Sequence, residues 1–415
     1  MQKYDDKAHN ENYKAHNENL LILRSLLADE IAAALAMGDF AAASALLAEH
    51  YKHTQYVPQA SGRQNPAAAY LLAKLLAADN FFSRRAAAQQ VDSSLLTALA
   101  AEIAVLQGWL AAYQPPDWLS AGTSAAVDCP ELLAWSTLPP EQAAELLARF
   151  HRHNGFGQLA LHHVWRWQGG LQPVEQYDQI RLHNLVGYQS QKDEILANTR
   201  LFVKEGRGNN MLLYGARGTG KSSLVKAVAN ELAPEGLCLV ELPLEHMASL
   251  PQLLALLAEQ PRRYILFIDD LSFERADQSY KITKAVLEGS VSALGGNVLI
   301  YATSNRRHLI VENWQDREGV QHEGGEVRAS DSMSEKLSLA DRFGQTVLFG
   351  LPRQEEYLQI VAALAAADGI ELPPQELRKR ALQWAMWQKH NGLSGRTARQ
   401  FVNSLAKTTE KGVEI

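Results

Sequence analysis

Lys221 and Ser222 close the run GARGTGKSS, residues 215–223, which fits the spacing G-x-x-x-x-G-K-S/T. That spacing answers one chemical need. Gly215, Gly218 and Gly220 let a loop turn tightly enough for backbone N–H groups to converge on a phosphate, and a helix opening at the end of the loop adds its positive pole. Lys221 is then placed to reach the β- and γ-phosphates of a nucleotide and the Ser222 hydroxyl to bind Mg2+. Thr219 and Ser223 belong to the same cradle.

A second constellation stands in YILFIDDLSF, residues 264–273, where an apolar run ends in Asp269 and Asp270. Such a run reads as a strand of a parallel sheet, and the carboxyl ends of those strands are where open α/β folds bind ligands. Two readings of the pair stay open: a strand that simply ends in water, or two carboxylates serving a cation and a base. Beside a phosphate loop, Asp269 is placed to hold the Mg2+ shell and Asp270 to polarise an attacking water. Aspartate is one methylene shorter than the glutamate many phosphate-loop proteins carry there. Because a misplacement of about 1 Å can cost 100-fold, Asp270 implies either a water held closer or slow chemistry. Glu274, on the following turn, is a fallback base.

These residues need a scaffold. From about Leu171 the runs NMLLYG, LCLVEL, YILFID, NVLIYATS and TVLFGL alternate with helical segments, which predicts an α/β core with a parallel sheet sandwiched by helices. The expected organisation is a polar lead-in over 1–19 carrying the repeat KAHNENY/KAHNENL, an all-helical domain over 20–170, the phosphate-loop core over 171–350 and a helical lid over 351–415. In the helical half, Trp109, Trp118, Trp135, Trp165 and Trp167 read as packing residues. His151, His153, His162 and His163 lack partners at metal-ligand spacing.

Composition narrows the class. A net charge of −6 argues against a chain that coats nucleic acid through bulk charge. Two cysteines, Cys129 and Cys238, and no apolar signal core suggest a reducing, cytoplasmic setting without export. Residues 93–113 are long and apolar enough to span a bilayer, but Glu102 sits near their middle, where a carboxylate costs about 2.5–3.5 kcal/mol. A soluble helix is the expectation there, and no membrane partner.

Taken together, the phosphate loop, ILFIDD and the segments C-terminal to them resemble an AAA+ ATPase over roughly the last three-fifths of the chain. NVLIYATSNRRHLI, residues 297–310, resembles the sensor 1 strand, with Asn305 at its polar tip. SLADRFG, residues 338–344, resembles the segment bearing the arginine finger, which singles out Arg342. GLSGRTARQF, residues 392–401, resembles the sensor 2 helix, with Arg396 the γ-phosphate contact and Arg399 its substitute. NLVGY, residues 184–188, resembles the stretch lining the adenine pocket, through Val186 and Gly187. The chain is similar to a bacterial family of AAA+-like ATP-binding proteins that share DDLSFE and YATSNRRHL, and the aspartate pair also resembles the initiator and helicase-loader branch.

The resemblance implies ATP and Mg2+ as cofactors, hydrolysis of ATP by Asp270, Asn305 and Arg342, and a homo-oligomer whose sites are shared between subunits. The helical half is expected to hold a macromolecular client, an unknown protein in the first instance, with nucleic acid or another copy of the chain left open. The alternative is a slow nucleotide-dependent switch or scaffold. A nucleic-acid-associated role stays open through Arg306, Arg307 and His308, which read equally as a solvated turn, and through the basic lid residues Arg378, Lys379, Arg380, Lys389, Arg396, Arg399, Lys407 and Lys411, whose first reading is ordinary solvated surface. The polar loop over 316–336 is a candidate partner contact.

Overall fold

The structure, a computed structural model, describes residues 20–53, 65–117, 119, 130–271, 282, 296–305, 342–387 and 392–410. Glu274, Arg306, Arg307, His308, the loop over 316–336, Trp118, Cys129, Lys389, Lys411 and the lead-in over 1–19 lie outside the described residues. The chain divides into two compact units, one running to His162 and taking in Gln260–Arg262, the other beginning at His163.

The first unit is helical: α1 Glu30–Met37, α2 Phe40–His53, α3 Pro66–Leu76, α4 Phe81–Ala87, α5 Ser93–Ala112 and α6 Pro140–Asn154. Local chemistry sets their ends. Asp29 caps α1 by accepting from the N–H groups of Ile31 and Ala32, and Gly38 ends it in the left-handed region at φ 73°. Asn80 and Ser83 close a reciprocal capping box on α4.

Helix α5 alone, among the described residues, is long and apolar enough to cross a membrane. Its one charge is turned inward: Glu102 is 4% exposed, and its carboxylate accepts from the backbone N–H groups of Leu21, Ile22 and Leu23 at 2.8–3.1 Å. Leu99, Ile103, Leu106 and Leu110 of the same helix join the unit's core, together with Trp109 and Trp135. His151 is buried there too, with Nδ1 2.8 Å from the Gly155 carbonyl and Nε2 3.2 Å from that of Leu75. No group of three metal-ligating side chains occurs among the described residues.

The second unit is built on seven strands: β1 Val164–Trp167, β2 Leu171–Pro173, β3 Met211–Gly215, β4 Leu237–Glu241, β5 Arg263–Ile268, β6 Val298–Ser304 and β7 Gln345–Phe349. They lie in the order β2-β1-β4-β5-β6-β3-β7, and every pairing is parallel except that of β1 with β2. Because β1 pairs with β4, the sheet begins at Val164, ahead of the composition shift at Leu171. Trp165 and Trp167 are therefore buried strand residues of this unit and not part of the helical core. Strands β3 and β6 are buried along their whole length, as covering on both faces requires.

The cover comes from α7 Gln189–Glu205, α8 Lys221–Leu232 and α9 Leu250–Ala258, and the lid from α10 Gln354–Ala367, α11 Pro374–Trp387 and α12 Gly395–Glu410. The lid helices share a core around Tyr357, Val361, Ala381, Phe401 and Val402, against which Val186 and Leu393 also rest.

Strand order is what assembles the site. The phosphate loop follows β3, the aspartate pair follows β5, and β6 lies between them, so two strand spacings, about 10 Å, separate the two strands, and the side chains after them reach across that gap. Tyr214 pairs with Ser304 and Ile268 with Ala302. That register sets Gly215 level with Asn305 and Asp269 level with Thr303.

Candidate functional site

Gly215 must be glycine. Its φ is 138°, and a Cβ there would stand 2.1 Å from the Phe349 carbonyl oxygen, which accepts the N–H of Ala216 at 3.2 Å. Gly218 at φ 75° and Gly220 at φ 89° carry the loop into α8. The Thr219 hydroxyl faces back into the loop, donating to the Ala216 carbonyl at 2.9 Å, so that side chain braces the turn.

Lys221 is 5% exposed. Its ammonium donates to the Gly215 carbonyl at 3.1 Å, the Ala216 carbonyl at 2.8 Å and Asn305 Oδ1 at 3.1 Å. Burial pushes its pKa down to about 8; Asp269 and Asp270 pull it back up, while Arg217 and Arg396 add to the depression. Ser222 Oγ donates to Asp269 Oδ1 at 2.6 Å, and Asn305 Nδ2 donates to Asp270 Oδ1, also at 2.6 Å. Asp269 after β5 and Asn305 after β6 thus meet Ser222 and Lys221 through direct hydrogen bonds, and Asp270 joins them through Asn305.

Above the loop and the aspartates lies a cavity of ≈ 1080 Å³, ample for a nucleoside triphosphate. Its lining joins Arg217, Gly218, Thr219, Gly220, Lys221, Ser222 and Ser223 to Asp269, Asp270 and Asn305, and includes the apolar Ile180, Leu185, Val186, Phe349, Ile360 and Leu364, a surface a flat base can pack against, beside polar Asn184 and Lys192. Tyr188 fixes that surface: its hydroxyl donates to the Gly350 carbonyl at 2.7 Å and its ring centroid lies 5.3 Å from that of Phe349.

The lid reaches the loop through its backbone. The N–H of Arg396 donates to the Gly218 carbonyl at 3.2 Å, and a Cβ on Gly218 would stand 2.9 Å from the Arg396 Cβ. Arg396 and Arg399 both line the cavity, but Arg399 is also paired with Asp368 at 2.7 Å. Arg378 is paired with Glu355, and Arg380 with Glu376. Arg342 stands just before β7, half-buried, and does not line the cavity of its own chain.

The donor set fits Mg2+ and a polyphosphate. The Ser222 hydroxyl and the Asp269 carboxylate are hard oxygen ligands already in contact, and a buried ammonium with a depressed pKa gains from an anion beside it. Sequence reasoning missed Thr303, whose hydroxyl touches both aspartates. Its signal was the period of two along a strand, which puts residue 303 on the same side as Asn305.

Fold and site define an α/β protein of the phosphate-loop class. The family model described as "Protein of unknown function (DUF815)" matches residues 160–409, and the chain belongs to that family. None of the curated proteins matches it. Two solved structures similar to it are the Thermotoga maritima RuvB Holliday junction branch migration motor and a variant of that RuvB, each at 16% identity, covering 54% of this chain and 71% of that chain, with a TM-score of 0.33. An overlap that loose establishes neither activity nor partner.

Proposed function

We propose that this protein is an Mg2+-dependent ATPase of the AAA+ type, which couples nucleotide state to the remodelling or loading of a protein client in the cytoplasm. The observation that carries the reading is the joined set Lys221–Asn305–Asp270 and Ser222–Asp269 after the carboxyl ends of the interior strands β3, β5 and β6, lining a cavity whose walls also include Val186, Phe349, Ile360 and Leu364. ATP is the substrate, with its base against Val186 and Gly187 and its phosphates on the loop over 215–223. Ser222 and Asp269 would hold Mg2+, which when bound would offset charge on the phosphate oxygens.

Lys221 serves the β- and γ-phosphates once it leaves the loop carbonyls. Asn305, released from Lys221, keeps its bond to Asp270 and helps to orient the attacking water. Asp270 takes the proton of that water as its oxygen bonds to the γ-phosphorus, and the bond to the ADP oxygen breaks. Arg396 meets the γ-phosphate from the lid, and Arg342 completes the site of a neighbouring copy in a homo-oligomer.

A second reading, a slow nucleotide-dependent switch, is favoured by one specific feature: the short Asp270 carboxylate is held by Asn305 at 2.6 Å. ATPase activity measured against protein concentration for wild type and Lys221→Ala separates the two. Activity per subunit that rises with concentration and vanishes in the variant supports the shared-site ATPase. Wild-type turnover no higher than that of the variant, with nucleotide still bound, overturns it in favour of the switch. Failure of the wild type to bind nucleotide at all overturns both.

A further inference from the structure

We infer that Thr303 is a positioning residue for the aspartate pair, setting Asp269 and Asp270 in the places their chemistry needs. The inference rests on the nucleotide reading above and adds to it a residue with no contact to substrate of its own.

Thr303 is 2% exposed near the carboxyl end of the interior strand β6, between the strand that leads to the phosphate loop and the strand that leads to the aspartates. Its hydroxyl donates to Asp269 Oδ1 and accepts the N–H of Asp270 at 2.9 Å. Its carbonyl accepts the N–H of Leu271 at 2.7 Å. One residue thus holds three successive positions of the turn after β5.

That turn needs holding. Asp270 has φ 57°, in the left-handed region that residues other than glycine enter at a cost. With its N–H fixed on Thr303 and its carboxylate on Asn305, Asp270 is pinned at both ends. Asp269 Oδ1 takes the hydroxyls of both Ser222 and Thr303, which turns the carboxylate toward the loop. A hydroxyl is required for this arrangement, since one atom must donate to a carboxylate and accept from an N–H at once. Valine has the shape of threonine and can do neither.

The test compares Thr303→Val with Thr303→Ser, which keeps the hydroxyl. Three quantities are read: turnover of ATP, the Kd of mant-ATP without Mg2+, and the Mg2+ concentration that half-saturates mant-ATP binding. The expected result for Thr303→Val is a turnover at least tenfold lower and a Mg2+ requirement several-fold higher, with the Mg2+-free Kd within about threefold of wild type. Thr303→Ser should restore both altered quantities to within about threefold. Wild-type turnover and Mg2+ requirement in Thr303→Val, or equal losses in Val and Ser, would overturn the inference.

Should Thr303→Val not fold, Thr303→Ala removes the same hydroxyl without adding a methyl in its place. If wild type proves not to hydrolyse ATP, the Mg2+ requirement still decides for or against Thr303, while Lys221→Ala reports separately on the phosphate loop.

Discussion

Asp270 is held at both ends, by the Thr303 hydroxyl on its N–H and by Asn305 Nδ2 on its carboxylate. Asp270→Asn keeps the size of the side chain and a residue type tolerant of the left-handed region, while removing the proposed base. Turnover should fall by about 100-fold or more with mant-ATP affinity nearly unchanged, because general-base assistance contributes about 10²–10⁴. Equal turnover in the variant would show that Asp270 is not the base. At this scale the phosphate loop was legible because its spacing is local, whereas strand period alone puts Thr303 on the side of Asn305, and only the cross-strand register sets it level with Asp269. A different residue carries a pH effect. His151 is 1% exposed, and burial holds its pKa below the ordinary 6.5, opposed by the Gly155 and Leu75 carbonyls. The unfolded chain therefore binds more protons than the folded one as pH falls from about 6.5, so stability is complete above that value and declines toward the lower folded pKa. Denaturation of wild type at pH 7.5 and 5.5 should show a loss on acidification that is smaller in His151→Gln. An equal pH dependence in both proteins would rule out His151 as its source.

At the scale of elements, α5 shows how an interior charge can be read two ways. From sequence, Glu102 is an obstacle to a membrane span; in the fold it is the acceptor for three consecutive N–H groups, of Leu21, Ile22 and Leu23. Those partners lie about 80 residues away in the chain, which is why helical periodicity could not name them. Glu102→Gln replaces one acceptor oxygen by a donor facing N–H groups, and should cost about 1–3 kcal/mol of stability. Urea denaturation reads this directly, and an unchanged midpoint would mean that the segment over 21–23 finds other acceptors. The strand β1 escaped the sequence for a related reason: VWRW follows a helical half and gains its identity only by pairing with β4.

At the scale of the whole molecule, the question is how many chains make one site. Arg342 does not line the cavity that Lys221 lines, so if it serves catalysis it must do so through another copy, in a head-to-tail contact that repeats around an assembly. Mixing two inactive variants tests this. Arg342→Ala retains its own phosphate loop, Lys221→Ala retains its own arginine, and each should be inactive alone. In a randomly mixed 1:1 assembly, about a quarter of the sites combine an intact Lys221 with an intact Arg342 from the neighbour. Mixing should therefore restore a measurable part of the wild-type rate, and the recovered rate should grow with total protein concentration. If Arg342→Ala alone turns over normally, or if no mixture regains activity, the arginine does not act across subunits and each chain must complete its site from Arg217 or Arg396, which line its own cavity.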